Sequence, residues 1–144
     1  MVALLLILCL LHHLPAVFGA NLYACPGETV TLPCDGPADK DTNVVDMLWK
    51  FGSMTICSFK NGISKFEHRD FVNRTQLGSI RQSNFSLVIN RVIVQDHGGY
   101  KCLINDKVIQ RNNLFVRVPD ENSPGEFILC LINMLLPQSE SYIL

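Results

Sequence analysis

Two cysteines and one tryptophan constrain this chain more than any other feature. Cys34 ends the alternating stretch ETVTLPC, Trp49 sits in VVDMLWKF, and Cys102 sits in GYKCLIN. Successive side chains of an extended strand point to opposite faces. Cys34 therefore shares a face with Val30 and Leu32, and Trp49 shares one with Val45, Met47 and Phe51. Each of the three occupies the apolar face of a different short strand, 15 and then 53 residues apart. Bringing those faces together requires two packed sheets or a closed barrel.

The rest of the chain keeps the same rhythm. MTICSF, ISKFEH, RTQLGSI and FSLVINRV read as further strands, the last with Phe85, Leu87 and Ile89 on one side. KNG at 60–62 is a tight turn, and DGPADKDTN is a polar loop. NLFVRVP is the last strand, with Leu114, Val116 and Val118 pointing together, and an entry strand lies near Leu22–Cys25. That makes about nine strands, and no long stretch repeats at the helical period. Hydrophobic residues are 48% of the 144 and charged ones 17%, enough for a buried core and against wholesale disorder. With a net charge of −1 and no Lys/Arg cluster, a nucleic-acid-binding surface is not indicated.

The first segment, MVALLLILCLLHHLPAVFGA, carries no charged side chain. Its apolar run Val2–Leu11 fits the core of a signal peptide, and Val17 and Gly19 place small residues at −3 and −1 for cleavage before Ala20. Pro15 and the two histidines leave the run short of the roughly 20 residues a membrane span needs. Residues 1–19 are read as a signal peptide, so the remaining cysteines enter an oxidising compartment. Cys9 leaves with the leader. Cys25, Cys34, Cys57, Cys102 and Cys130 are an odd set, so at least one thiol stays free or bonds another chain.

DHGGYKC completes the pattern, with Tyr100 and Cys102 on one strand face and Asp96 just before it. The strands together resemble a variable-type (V-set) immunoglobulin domain. ETVTLPC, LWKF, RTQLGSI, NFSLVI and DHGGYKC are similar to its strands B, C, D, E and F in order, over about residues 21–118. The interval from Trp49 to Cys102 leaves room for strands C′ and C″, which favours the variable type.

The resemblance implies an all-β, V-type immunoglobulin Greek-key sandwich of about nine strands over residues 20–119. It implies a Cys34–Cys102 disulfide that pins the two sheets, with Trp49 packed against it and Leu87 in the core. Such a bond stabilises by roughly 4 kcal/mol in the chain-entropy model. Tyr100 takes the tyrosine-corner position, its hydroxyl bonding to the backbone just upstream, and Gly98 and Gly99 allow the close approach. Arg74 and Asp96 form a partly buried, charge-assisted pair. Rearranging antigen receptors carry a Phe-Gly-x-Gly bulge where this chain reads VIQRNNLFVRV, so it is unlike an antibody segment. Leukocyte adhesion receptors of the SLAM type and butyrophilin-like co-stimulatory ligands are both similar.

In that architecture Cys25 and Cys57 lie on opposite sheet edges, roughly 19 Å apart, against a Cα limit near 7 Å for a disulfide. An intermolecular bond or a buried free thiol is expected of them instead. Sequons at Asn73 and Asn84 are expected to carry glycans on the D–E side, leaving the opposite GFCC′ sheet free. Its outward residues are expected to be Leu48, Lys50, Lys101, Leu103, Phe115 and Arg117, an apolar centre with basic edges suited to a protein interface.

The resemblance implies a non-catalytic recognition module binding a protein partner on a cell surface, a second copy included, in immune recognition or adhesion. A soluble decoy or disulfide-linked oligomer is the second reading. A thiol-dependent enzyme using Cys57 and His68 is a third, although no C-x-x-C, H-E-x-x-H or G-x-S-x-G motif supports catalysis. No catalytic residue, metal, cofactor, nucleic acid or small-molecule substrate is expected. The tail 120–144 contains FILCLINMLL, too short to span a bilayer. It is expected to be irregular or truncated, with the anchored form being longer.

Overall fold

The computed structural model describes residues 1–12, 18–36, 45–118 and 122–135. Most of the polar loop DGPADKDTN, Pro15 and Val17, and PQSESYIL lie outside the described residues. Nine strands are described: β1 Phe18–Ala24, β2 Val30–Leu32, β3 Met47–Phe51, β4 Met54–Lys60, β5 Ile63–Phe66, β6 Thr75–Leu77, β7 Leu87–Ile89, β8 Gly98–Ile104 and β9 Lys107–Val116. Two helices, α1 Val2–His12 and α2 Pro124–Leu135, flank them. The strands form a six-stranded sheet, β1-β9-β8-β3-β4-β5, and a three-stranded sheet, β2-β7-β6.

Two hairpins set the larger sheet. Asn61-Gly62 between β4 and β5 and Asn105-Asp106 between β8 and β9 all adopt positive φ (52°, 76°, 49° and 66°). This is the backbone of tight two-residue hairpin turns, which Gly, Asn and Asp accept most readily. The second turn starts β9 at Lys107, well before the NLFVRVP stretch where the alternation suggested a strand. At the other end β9 stops at Val116, so Val118 is exposed rather than aligned inward with Leu114 and Val116.

The core lies between the sheets. Trp49, Leu87, Cys34 and Cys102 are fully buried. Cys34 and Cys102 are disulfide-bonded with Cα atoms 6.3 Å apart. Trp49 is the register partner of Cys102 on β8 and of Cys57 on β4. Its indole Nε1–H donates to the Phe85 carbonyl at 2.8 Å, so the largest core side chain hides no unsatisfied donor. Asn112 is buried too, a polar residue the pattern gave no reason to place inside. It donates to the Pro33 carbonyl and accepts from Gln110, pairing a carbonyl just past the end of β2.

Below the disulfide, Tyr100 donates its hydroxyl to the Asp96 carbonyl at 2.6 Å. Burial and the nearby Asp96 charge push the tyrosine pKa up. The Asp96 carboxylate takes two bonds from Arg74, at 2.8 and 2.9 Å, and a third from the Ile93 backbone N–H. The Arg74 pKa is raised, chiefly by that hydrogen bond. A Cβ at Gly98, where φ is +149°, would run into the Phe51 ring. Here the glycine is required by the aromatic packing of Phe51 on Tyr100, whose ring centroids are 4.7 Å apart.

Two expectations about the ends are corrected. The tail is not irregular throughout, because 124–135 is helical. Cys25 neither stays a thiol nor awaits another chain: it is bonded to Cys130 in α2, with Cα atoms 5.5 Å apart. The reason is the parallel pairing of β1 with β9, which sets Ala24 beside Val116. The end of β9 thus lies next to Cys25, and Cys130 follows 14 residues after Val116. Cys57 is the one free cysteine among the described side chains, and it is fully buried.

Candidate protein-recognition face

The outward side of the six-stranded sheet is built in rows across its strands. Leu48 on β3 faces Leu103 on β8, and Leu103 faces Val108 on β9. One row along, Lys50 faces Lys101, and Lys101 faces Arg111. The residues between them, Trp49, Cys102 and Gln110, point into the core. Rigid core packing thereby fixes the spacing of the exposed rows. Leu48, Lys50, Lys101 and Leu103 are all half-buried.

The other two predicted residues lie apart from these four. Phe115 faces Tyr23 of β1, and the two rings stack with centroids 5.1 Å apart. The Arg117 guanidinium sits 5.6 Å from the centre of the Tyr23 ring, and His97 packs edge-on against Phe115. The predicted six thus form two clusters, a mixed apolar and basic patch on β3 and β8 and an aromatic column at the β1–β9 end. The cations make a row beside the leucines rather than edges around them.

Tyr23, Val108 and Arg111 were missed by the sequence reading. The Asn-Asp pair at 105–106 was the available signal: a two-residue hairpin there carries β9 back from residue 107 and puts Arg111 opposite Lys101.

Asn73 and Asn84 are exposed and precede β6 and β7, two strands of the smaller sheet. The Asn84 Oδ1 accepts from the Ser86 N–H at 3.1 Å, and the Ser86 hydroxyl accepts from the Cys34 N–H at 3.3 Å.

The cysteine chemistry is unfavourable for catalysis. Burial first, and the Glu67 charge second, push the Cys57 thiol up to about 12. A nucleophilic cysteine needs the opposite, an accessible and stabilised thiolate. His68 is engaged elsewhere, its Nδ1 accepting from the Asp70 N–H and its ring set edge-on to Phe71. With Cys25 bonded to Cys130, none of the five cysteines from Cys25 onward is left both exposed and unpaired.

The model of the immunoglobulin V-set domain family matches residues 21–118, more than half of the chain. The chain belongs to the V-set family. The larger sheet is accordingly the A′GFCC′C″ sheet and the smaller one BED. Solved immunoglobulin-like adhesion domains share the fold. The extracellular domain of the voltage-gated sodium channel beta4 subunit, whose parallel homodimers explain its role in cell-cell adhesion, superposes with a TM-score of 0.54 at 16% identity. That alignment covers 72% of this chain and 96% of the other. A structure from photo-crosslinking analyses of multimeric cell-adhesive interactions of VGSC beta subunits gives 0.54 at 18% identity, covering 69% and 92%. Comparison with curated proteins finds no matching sequence. At these identities the structural likeness speaks for the V-type sandwich alone.

Proposed function

We propose that this V-set domain is a non-catalytic recognition module that binds another protein outside the cell, through the GFCC′ face, in adhesion or immune recognition. The observation that carries this reading is the Leu48–Leu103–Val108 row, half-buried apolar side chains on the solvent side of a sheet whose other side already holds the core. An apolar row bordered by cations suits a protein interface. Residues 1–19 act as a signal peptide in this reading, and glycans on Asn73 and Asn84 cover the BED side.

The test is a cell-binding screen with the tagged full chain, expressed in mammalian cells. Leu103→Asp abolishes binding, while circular dichroism and the melting transition stay those of the wild type. Unchanged binding by this variant would remove the face from consideration. Glycosidase treatment should lower the apparent mass of the secreted protein in two steps, one lost in Asn73→Gln and the other in Asn84→Gln.

A further inference from the structure

Lys50, Lys101 and Arg111 stand in one row on the outer face of three adjacent strands. Neighbouring strands lie about 5 Å apart, so the three charges fall within roughly 10 Å. Like charges directly opposite one another destabilise a sheet. Among the described residues no carboxylate is within ion-pair distance of any of the three. Two acids next to strand ends of the same sheet have other lysines beside them: Asp46 is 3.9 Å from Lys60 and Glu67 is 4.0 Å from Lys65. The described residues therefore carry a short cationic ladder to which no described carboxylate is paired.

We propose that this ladder selects the partner: Lys50, Lys101 and Arg111 bind carboxylates presented by an acidic strand or loop of another protein, while the adjoining leucine row takes an apolar side chain beside them. The inference rests on the GFCC′ face being the recognition surface and adds the chemistry of what it recognises.

Three observations favour a protein over other anionic ligands. The ladder is short: uncharged Thr55 on β4 lies beside Lys50, and once residues 1–19 are removed no β1 side chain stands opposite Arg111. A long polysulfated chain would run on past it without further cations. Its neighbour is the apolar row Leu48–Leu103–Val108, which a sugar sulfate could not use but a protein side chain could. On the other side lies the uncharged row Gly99–Asn113–Asn21, where Asn113 donates to Asn21 at 3.1 Å. A second copy is the wrong occupant for a direct face-to-face stack, because it would set three cations on three cations.

The experiment compares wild type, Leu103→Asp and the triple variant Lys50→Gln/Lys101→Gln/Arg111→Gln in the same cell-binding assay. The triple variant should bind at least tenfold more weakly. Wild-type binding should fall as salt rises, survive heparinase treatment of the cells, and vanish after their surface proteins are trimmed by protease. Hexaglutamate titrated into the labelled protein should shift the resonances of Lys50, Lys101 and Arg111, and should not do so in the triple variant.

The single change Lys101→Gln should raise the melting temperature by about 2 °C through relief of the cross-strand repulsion. Wild-type affinity in the triple variant, with Leu103→Asp still inactive, overturns the ladder and leaves the face standing. Normal binding by both variants overturns the face itself. Loss of binding after heparinase, or a self-association of the isolated protein that the triple variant lacks, overturns the acidic-protein partner. Absence of any hexaglutamate shift overturns carboxylate recognition.

Discussion

The two disulfides close chain segments of comparable length, 68 and 105 residues, yet they do different work. Cys34–Cys102 is wholly buried, crosses from one sheet to the other, and has Trp49 beside it. Cys25–Cys130 ties α2 to the end of β1. Ile128, Leu129, Leu131, Ile132 and Leu135 of that helix are exposed, and Cys130 is buried. Length alone would rank the outer bond as slightly the more stabilising. What differs is how much of each closure the native fold has already made by other means. The inner bond joins strands of sheets that touch only through side chains, whereas the outer bond starts from a point that the β1–β9 ladder already holds beside the tail's exit.

The largest effect should therefore come from the inner bond. Replacing Cys34 and Cys102 together by serine removes about 4 kcal/mol of chain-entropy stabilisation and buries two hydroxyls beside an indole. Urea unfolding should show a loss of at least that size, with little folded protein recovered at 37 °C. A loss below about 2 kcal/mol would mean that the sandwich holds its sheets without the bond, and the contrast between the two disulfides would disappear.

The ion pair beneath that bond should come next. Asp96→Ala leaves Arg74 without its buried partner and the Ile93 N–H without an acceptor, at a cost of about 3 kcal/mol. Denaturant curves of Asp96→Ala and Arg74→Met test it. The arginine change should cost at least as much, because it leaves the more deeply buried Asp96 carboxylate with only the Ile93 N–H; a much milder Arg74→Met would show that the stranded charge is not the source. A further effect appears only at alkaline pH. The folded-state pKa values of Cys57 and Tyr100 are both raised, so each group stabilises the domain fully below its unfolded value and loses that contribution as pH rises above it. Cys57 begins to cost stability near pH 9 and goes on doing so as the pH rises toward its folded value of about 12. Melting temperatures should fall between pH 9 and 11, and Cys57→Ala should delay the fall until the tyrosine begins to contribute near pH 10.

The same contrast separates what could be read from the sequence from what could not. Strands over the alternating stretches follow from period-2 patterning, because a half-buried sheet leaves that imprint on every second residue. The positions of Trp49, Cys102 and Tyr100 follow from it directly. The aromatic column needed more: Tyr23 and Phe115 meet because β1 runs parallel to β9, and no local signal states which strand will lie beside which. Cys130 was hidden for the same reason. Its partner is decided by where β9 leaves the sheet, not by anything in FILCLINMLL. The basic ladder fell between the two cases, with Lys50 and Lys101 visible by alternation and Arg111 concealed by a hairpin whose Asn-Asp turn was there to be read.

The outer bond yields the smallest stability effect and the sharpest check on the comparison. In the unfolded chain Cys25–Cys130 closes a segment of 105 residues. In the folded domain the ladder already sets Ala24 beside Val116, so the bond closes only the roughly 14 residues from Val116 to Cys130. Because closure entropy grows with the logarithm of length, the native state pays back most of what the unfolded state loses. The net is about 2 kcal/mol instead of the nearly 5 that the full segment implies. Cys25→Ser/Cys130→Ser should therefore lower stability by about 2 kcal/mol, leave the protection of β3, β8 and β9 amides against hydrogen exchange otherwise intact, and abolish that of α2. A loss near 5 kcal/mol with α2 amides still protected would show that the helix docks through its own contacts. The second disulfide would then be a structural element of the domain, on a par with the first.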